Sequence, residues 1–174
     1  MVTFNIIIDA KQAGTADNDV INGTSGSDLL VGRGGDDLIV GNAKSDFILG
    51  NTGSDILFGR GGRDMLYGGM GDDRVMGGGG NDTVSGDFGR DVLFGGNGDD
   101  IFAFFARTTD AMDIIKDYAA GDSLMLIGYA EGSVYTVQDG ANTLVFDGDG
   151  PAIALIENTT AADVELAYAA TNPF

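Results

Sequence analysis

The sequence predicts an all-β chain wound as a roll of short coils, and three columns of residues carry that prediction. Written in nines, the chain places Asp19, Asp28, Asp37, Asp46, Asp55, Asp64, Asp73, Asp82, Asp91 and Asp100 in one column. Five residues before each Asp stands a glycine, from Gly14 to Gly95. Two residues after each stands an apolar side chain: Ile21, Leu30, Ile39, Ile48, Leu57, Leu66, Val75, Val84, Leu93 and Phe102. A fixed nine-residue period sustained through ten repeats is the signature of a stacked repeat architecture.

Each nonapeptide divides into six turn residues and a three-residue strand, whose central side chain points inward because alternate strand residues face opposite sides. Two repeats make one coil, so ten repeats give five coils and a roll of roughly 24 Å at the usual strand spacing. The apolar column is its interior. Two residues before the Asp, glycine fills eight of ten places, with Asp17 and Lys44 departing. The expected organisation is a capping strand over residues 1–13, the roll over 14–103, and a C-terminal β cap over 104–174.

Beyond the repeat, Ser133 to Gln138 and Ala141 to Phe146 flank Asp139-Gly140, a hairpin signal. Ala152 to Ile156 predicts a third strand. Thr160 followed by Asp163 predicts the start of a short helix. The C-terminal β region is expected to fold back over one face of the roll.

Composition excludes much. The 174 residues allow one ordinary domain. Without Cys or His there is no Ser-His-Asp or Cys-His nucleophilic site, no zinc finger and no disulfide framework. No carboxylate pair stands out from the repeat, so an enzyme is not expected. A net charge of −18 argues against nucleic acid. Ile6-Ile7-Ile8 is too short for a secretory apolar segment, and no membrane span is present.

Of the 27 acids, only Glu131, Glu157 and Glu165 are not Asp, so the short carboxylate is selected. Repeats two apart lie above one another. Asp19, Asp37, Asp55, Asp73 and Asp91 therefore form one file, and Asp28, Asp46, Asp64, Asp82 and Asp100 the other. Unneutralised carboxylates about 5 Å apart repel strongly. A hard divalent cation between successive turns, with calcium the best match to irregular oxygen cages, removes that repulsion. Four gaps per file allow up to about eight ions, which would bring the charge from −18 to about −2. Asp36, Asp72 and Asp99 are expected to be solvated neighbours.

Gly68-Gly69-Met70-Gly71-Asp72-Asp73-Arg74-Val75-Met76 and Gly95-Gly96-Asn97-Gly98-Asp99-Asp100-Ile101-Phe102-Ala103 resemble the glycine-rich nonapeptide of the hemolysin-type (RTX) calcium-binding proteins. The resemblance covers Gly14 to Ala103. It implies a parallel β-roll, with Ca2+ held by the Asp column and by turn carbonyls of Gly23, Gly32, Gly35, Gly50, Gly53, Gly59, Gly62, Gly68, Gly71, Gly77, Gly80, Gly86, Gly89, Gly95 and Gly98. Arg33, Asn42, Asn51, Arg60 and Asp87 replace the second glycine, read as a tolerant position. Lys44 is a worse departure, and sites touching Gly41 to Asp46 are expected to be weakest.

The stretch Asp113 to Leu126 resembles the segment after the roll in serralysin proteases and mannuronan C5-epimerase modules. That likeness implies a cap in which Asp117 and Asp122 hold a further calcium. The tail Val164 to Phe174 is similar in character to an uncleaved signal for a type I exporter.

Outward strand positions carry Leu29, Val31, Phe47, Leu49, Met65 and Tyr67 on one sheet and Leu38, Val40, Ile56, Phe58, Val92 and Phe94 on the other. Apolar patches of that size predict self-association into a homo-oligomer. The functional expectation is a secreted, calcium-dependent, non-catalytic module. A rival partner is acidic polysaccharide, against which Arg33, Arg60, Arg63, Arg74 and Arg90 fall on different sides of the coil.

Overall fold

The computed structural model describes residues 10–106, 111–148 and 150–169. Its strands are β1 (Ala10–Ala13), β2 (Val20–Asn22), β3 (Asp28–Gly34), β4 (Leu38–Ala43), β5 (Phe47–Thr52), β6 (Ile56–Gly61), β7 (Met65–Met70), β8 (Arg74–Gly79) and β9 (Thr83–Phe88). There follow β10 (Val92–Asn97), β11 (Ile101–Phe105), β12 (Asp113–Ile115), β13 (Ser123–Ile127), β14 (Val134–Asp139), β15 (Asn142–Asp147), β16 (Ala152–Ile156) and β17 (Leu166–Ala169). Among the described residues there is no helix.

Successive strands go alternately to two sheets. One has the order β1-β3-β5-β7-β9-β11-β13-β17, the other β14-β15-β16-β12-β10-β8-β6-β4-β2. Pairing is parallel throughout the coils and antiparallel only at β14–β15 and β15–β16. The chain is thus a parallel β-roll of about six turns. Leu30 pairs with Ile48 and Ile48 with Leu66, so the register advances eighteen residues per coil and stacks each column on itself. The apolar column is the core: Leu30 to Phe102 are fully buried and Ile21 is 6% exposed. Ile115, Leu124 and Ile156 extend it past the last nonapeptide.

Three expectations are corrected. The C-terminal region does not fold back over a face. Its strands continue both sheets, because β12 pairs parallel with β10, β13 with β11, and β17 with β13. Most outward apolar side chains therefore stay half-buried, with Val40 buried at 7% exposure and Ile56 exposed at 40%. The helix after Thr160 is a turn in which the Asp163 N–H donates to Thr160 O at 2.9 Å and the Thr160 hydroxyl bonds the Asp163 carboxylate. β17 begins three residues later, and its pairing with β13 prevails over the capping signal. In the hairpin, Asp139 pairs with Asn142, so the two-residue turn is Gly140-Ala141, with Gly140 supplying φ +63°. Of the expected N-terminal cap only β1 is described, paired parallel with β3; residues 1–9 lie outside the described residues, as do 170–174 of the tail.

Turns stack as closely as strands. A Cβ on Gly80, at φ +129°, would overlap the Gly62 carbonyl one coil earlier. At Gly140 nothing lies within 4 Å. Gly80→Ala should therefore cost at least about 3 kcal/mol, through steric overlap added to a disallowed φ. Gly140→Ala should cost only about 1 kcal/mol. Urea unfolding of the two variants checks this, and equal losses would mean that the turns are not in contact.

Candidate metal-binding ladder

Each repeat Asp closes its turn one residue before the strand, except Asp28, which opens β3. Asp and the apolar residue two places on share a face, so both point inward. Asp28 to Asp100 are accordingly no more than 2% exposed. From Asp37 onward each accepts a bond from the coil before: the backbone N–H of Asp19 donates to Asp37 Oδ1 at 2.8 Å, Asp28 to Asp46 at 2.8 Å, and Asp55 to Asp73 at 2.7 Å. The ladder does not stop at Asp100. Asp91 N–H donates to Asp113 Oδ1 at 3.0 Å and Asp100 N–H to Asp122 Oδ1 at 2.8 Å.

Asp122 was among the expected ligands; Asp113, as a ladder residue, was not. Its signal lay in the sequence. Asp113 and Asp122 are themselves nine apart, with Ile115 and Leu124 two residues on, but four inserted residues after Asp100 break the count.

The second carboxylate oxygen behaves differently. Oδ2 of Asp37, Asp46, Asp55, Asp64, Asp73, Asp82, Asp91 and Asp100 is buried with no hydrogen-bond partner. Buried unpaired polar atoms are rare in folded proteins because each carries its full desolvation cost. Burial pushes the carboxyl of Asp46 up to about 6, that of Asp64 to about 7 and that of Asp73 to about 8, with backbone N–H donation opposing and neighbouring ladder carboxylates adding. Asp91 and Asp100 rise to about 6 from the same leading cause. The ladder therefore calls for a positive charge or a proton beside each free oxygen.

The expected glycines sit around those oxygens. A Cβ on Gly32 would overlap Asp37 Oδ2 and lie 2.7 Å from Gly50 O, and one on Gly59 would meet Asp64 Oδ2 and lie 2.6 Å from Gly77 O. Carbonyls of Gly50, Gly59, Gly68, Gly77 and Gly95 thus lie against the glycine one coil back that packs on each carboxylate, and Gly32 does the same against Gly14 beside Asp19. Gly35, Gly53, Gly62, Gly71 and Gly80 direct their carbonyls at the glycine one coil on, Gly89 and Gly98 receiving the last two. Gly86 packs on Asp91, whereas Gly23 O accepts a bond from Asn42 Nδ2 at 2.9 Å. Among the described residues no three acidic side chains surround one point. A cation here would be held by ladder carboxylates together with turn carbonyls, an oxygen set that fits calcium.

Other expected positions are modified. Asp117 accepts N–H bonds from Gly95 and Gly96 at 2.9 and 3.1 Å, and Asp122 Oδ2 accepts from Ala119 N–H at 2.8 Å. Both carboxylates are therefore engaged in hydrogen bonds. Asp36 and Asp72 are exposed but are more than solvated neighbours: they accept N–H bonds from Ser54 and Arg90 one coil on, at 2.8 and 3.0 Å. Asp99 donates its N–H to Asn81 Oδ1 at 3.2 Å. The second-glycine position is not neutral either. Arg33, Asn42, Asn51, Arg60 and Asp87 are held at φ between +71° and +87°, where a side chain is strained. Lys44 sits at φ +69° with its carbonyl against Gly62.

Two outcomes follow from this geometry. The raised carboxyl pKa values mean that the cation-free fold holds more protons than the unfolded chain, so its stability is full below about pH 4 and is lost as pH rises through about 6 to 8. Circular dichroism in chelator should show β structure at acid pH that disappears toward pH 8, and a signal insensitive to pH would contradict the ladder's burial. Lys44→Gly should relieve about 1 kcal/mol of strain. Spread over up to about eight ions taken up on folding, that shifts the calcium midpoint of folding only about 1.2-fold lower, so the gain is read as an equal rise in stability on urea unfolding at fixed calcium beside the unaltered chain.

The model for the RTX calcium-binding nonapeptide repeat (4 copies) matches residues 13–48, 40–75 and 67–102. A comparison with curated proteins finds no match. Among solved structures, the extracellular lipase LipA from Serratia marcescens is similar at 17% identity and TM-score 0.39, over 90% of this chain and 40% of the lipase. The AlgE6R3 subunit of the Azotobacter vinelandii mannuronan C5-epimerase is similar at 22% identity and TM-score 0.41, over 91% of this chain and 81% of that subunit. The chain spans less than half of the lipase's length. With the repeat model matched over residues 13–102, the chain belongs to the RTX calcium-binding nonapeptide repeat family.

Proposed function

We propose that this protein is a secreted, non-catalytic module whose roll folds on binding calcium and then associates with further copies through its sheet faces. The observation that carries the reading is the row of eight buried carboxylate oxygens without a partner. At low calcium their repulsion and the entropy of a glycine-rich chain favour disorder, and at millimolar calcium the cation supplies the missing partner. A chain unfolded until it meets external calcium suits export through a narrow channel.

Self-association rests on register. Leu29, Phe47 and Met65 lie in one outward row and Val31, Leu49 and Tyr67 in the next, with Leu38 beside Ile56 and Val40 beside Phe58 on the other sheet. Among the described residues no helix is long and apolar enough to cross a membrane.

A second reading has one observation in its favour. Arg60 lies over Phe58 at 6.0 Å and Arg74 over Phe94 at 4.5 Å, on strands of the same sheet. Paired cationic and aromatic groups suit an acidic polysaccharide.

The test is a calcium titration followed together by circular dichroism and multi-angle light scattering. Folding and mass should rise in step. At pH 8 a β signal undiminished by chelator would overturn the coupling, whereas a folded monomer would overturn self-association and leave salt-sensitive binding of an alginate-like polymer as the next measurement.

A further inference from the structure

The repeat count and the pattern of unpartnered oxygens are out of step, and the difference has a structural cause at each end. Asp19 and Asp28 belong to the column, yet neither has a buried orphan oxygen. In the first two repeats threonine stands at the second-glycine position. Thr15 donates both its N–H (2.6 Å) and its hydroxyl (2.9 Å) to Asp19 Oδ2. Thr24 does the same for Asp28 Oδ2, at 2.5 and 3.0 Å. Each threonine Oγ1 in turn accepts an N–H two residues on, from Asp17 at 3.1 Å and Gly26 at 3.0 Å. The first carboxylates are thus closed by a local hydrogen-bonded loop of the kind Asp and Thr form at turn starts. A β-branched residue does not accept the left-handed backbone of later turns.

At the other end Asp91 and Asp100 keep a free Oδ2, buried at 0% and 1% exposure, although no further nonapeptide follows. Gly86 and Gly95 pack directly on those two oxygens, as Gly32 and Gly59 do on theirs. What lies above is Asp113 and Asp122.

We infer that the cation register is displaced by one coil toward the C-terminus: Asp19 and Asp28 are hydrogen-bonded caps that take no ion, and the free Oδ2 atoms of Asp91 and Asp100 hold the last two ions beneath the rungs formed by Asp113 and Asp122. This rests on the calcium reading above. The sites so placed would join the family repeat to the segment beyond it, so that the ion clamps the two together.

The test is the anomalous difference map of crystals of the full chain grown in calcium and exchanged into terbium. Peaks are expected beside Asp91 and Asp100, next to Asp113 and Asp122, and none within about 2.6 Å of an Asp19 or Asp28 oxygen. A peak ligated by Asp19 or Asp28, or vacant positions at Asp113 and Asp122 with the middle of the ladder filled, would overturn this register alone. No peak at any ladder Asp would overturn the calcium reading as well. In solution, equilibrium dialysis of the D19N/D28N double variant should return the unaltered number of bound calcium ions, and D113N should lose one. A reduced count in the double variant would contradict the inference.

Discussion

Parallel stacking at strand spacing is the constraint from which the rest of this structure descends. Once Leu30 pairs with Ile48 and Ile48 with Leu66, every residue lies over its own kind about 4.8 Å away. For the apolar column that is favourable. For the aspartates the same spacing places like charges in contact, in a position where no water reaches Oδ2 of eight of them. Only one oxygen of each carboxylate is neutralised by the fold itself, through the N–H of the coil before. The other oxygen must find its partner outside the polypeptide, and that requirement couples the roll to a cation.

The ladder bonds have direction. Inside, each Asp N–H donates forward to the carboxylate one coil on. Outside, one residue earlier in the turn, the bond runs backward: Asp36 donates to Asn18 and Ser54 to Asp36. Successive turns are therefore laced from both sides by adjacent residues. This explains the preference for Asp over Glu in the column, since one more methylene would carry the carboxylate beyond an N–H held at 2.8 Å.

Where the sequence is regular it is legible. Three columns of Asp, Gly and an apolar residue, held through ten repeats, foretell the roll, its core and the buried acids, because an identical environment repeats at identical spacing. What escapes the sequence is what breaks the period. The four residues inserted before Asp113 hide two further rungs, although the nine-residue interval to Asp122 survives intact. Thr160 and Asp163 carry a helix-start signal that the pairing of Leu166–Ala169 with β13 overrules, a tertiary contact that local chemistry does not encode. Thr15 and Thr24 look like ordinary replacements for glycine until the turn shows their hydroxyls bonded to Asp19 and Asp28.

In the proposed function, binding and folding are one equilibrium. Each ion held at ten times its dissociation constant contributes about 1.4 kcal/mol. A few such contributions equal the about 5–15 kcal/mol that hold an ordinary domain together. A core one side chain wide per strand, wrapped in glycine whose chain entropy is large, does not supply that margin alone. The acids that make the cation-free roll unfavourable at neutral pH are the same ones that give the ion its sites. Removing their repulsion by mutation would therefore also remove the sites at which an ion supplies the missing margin.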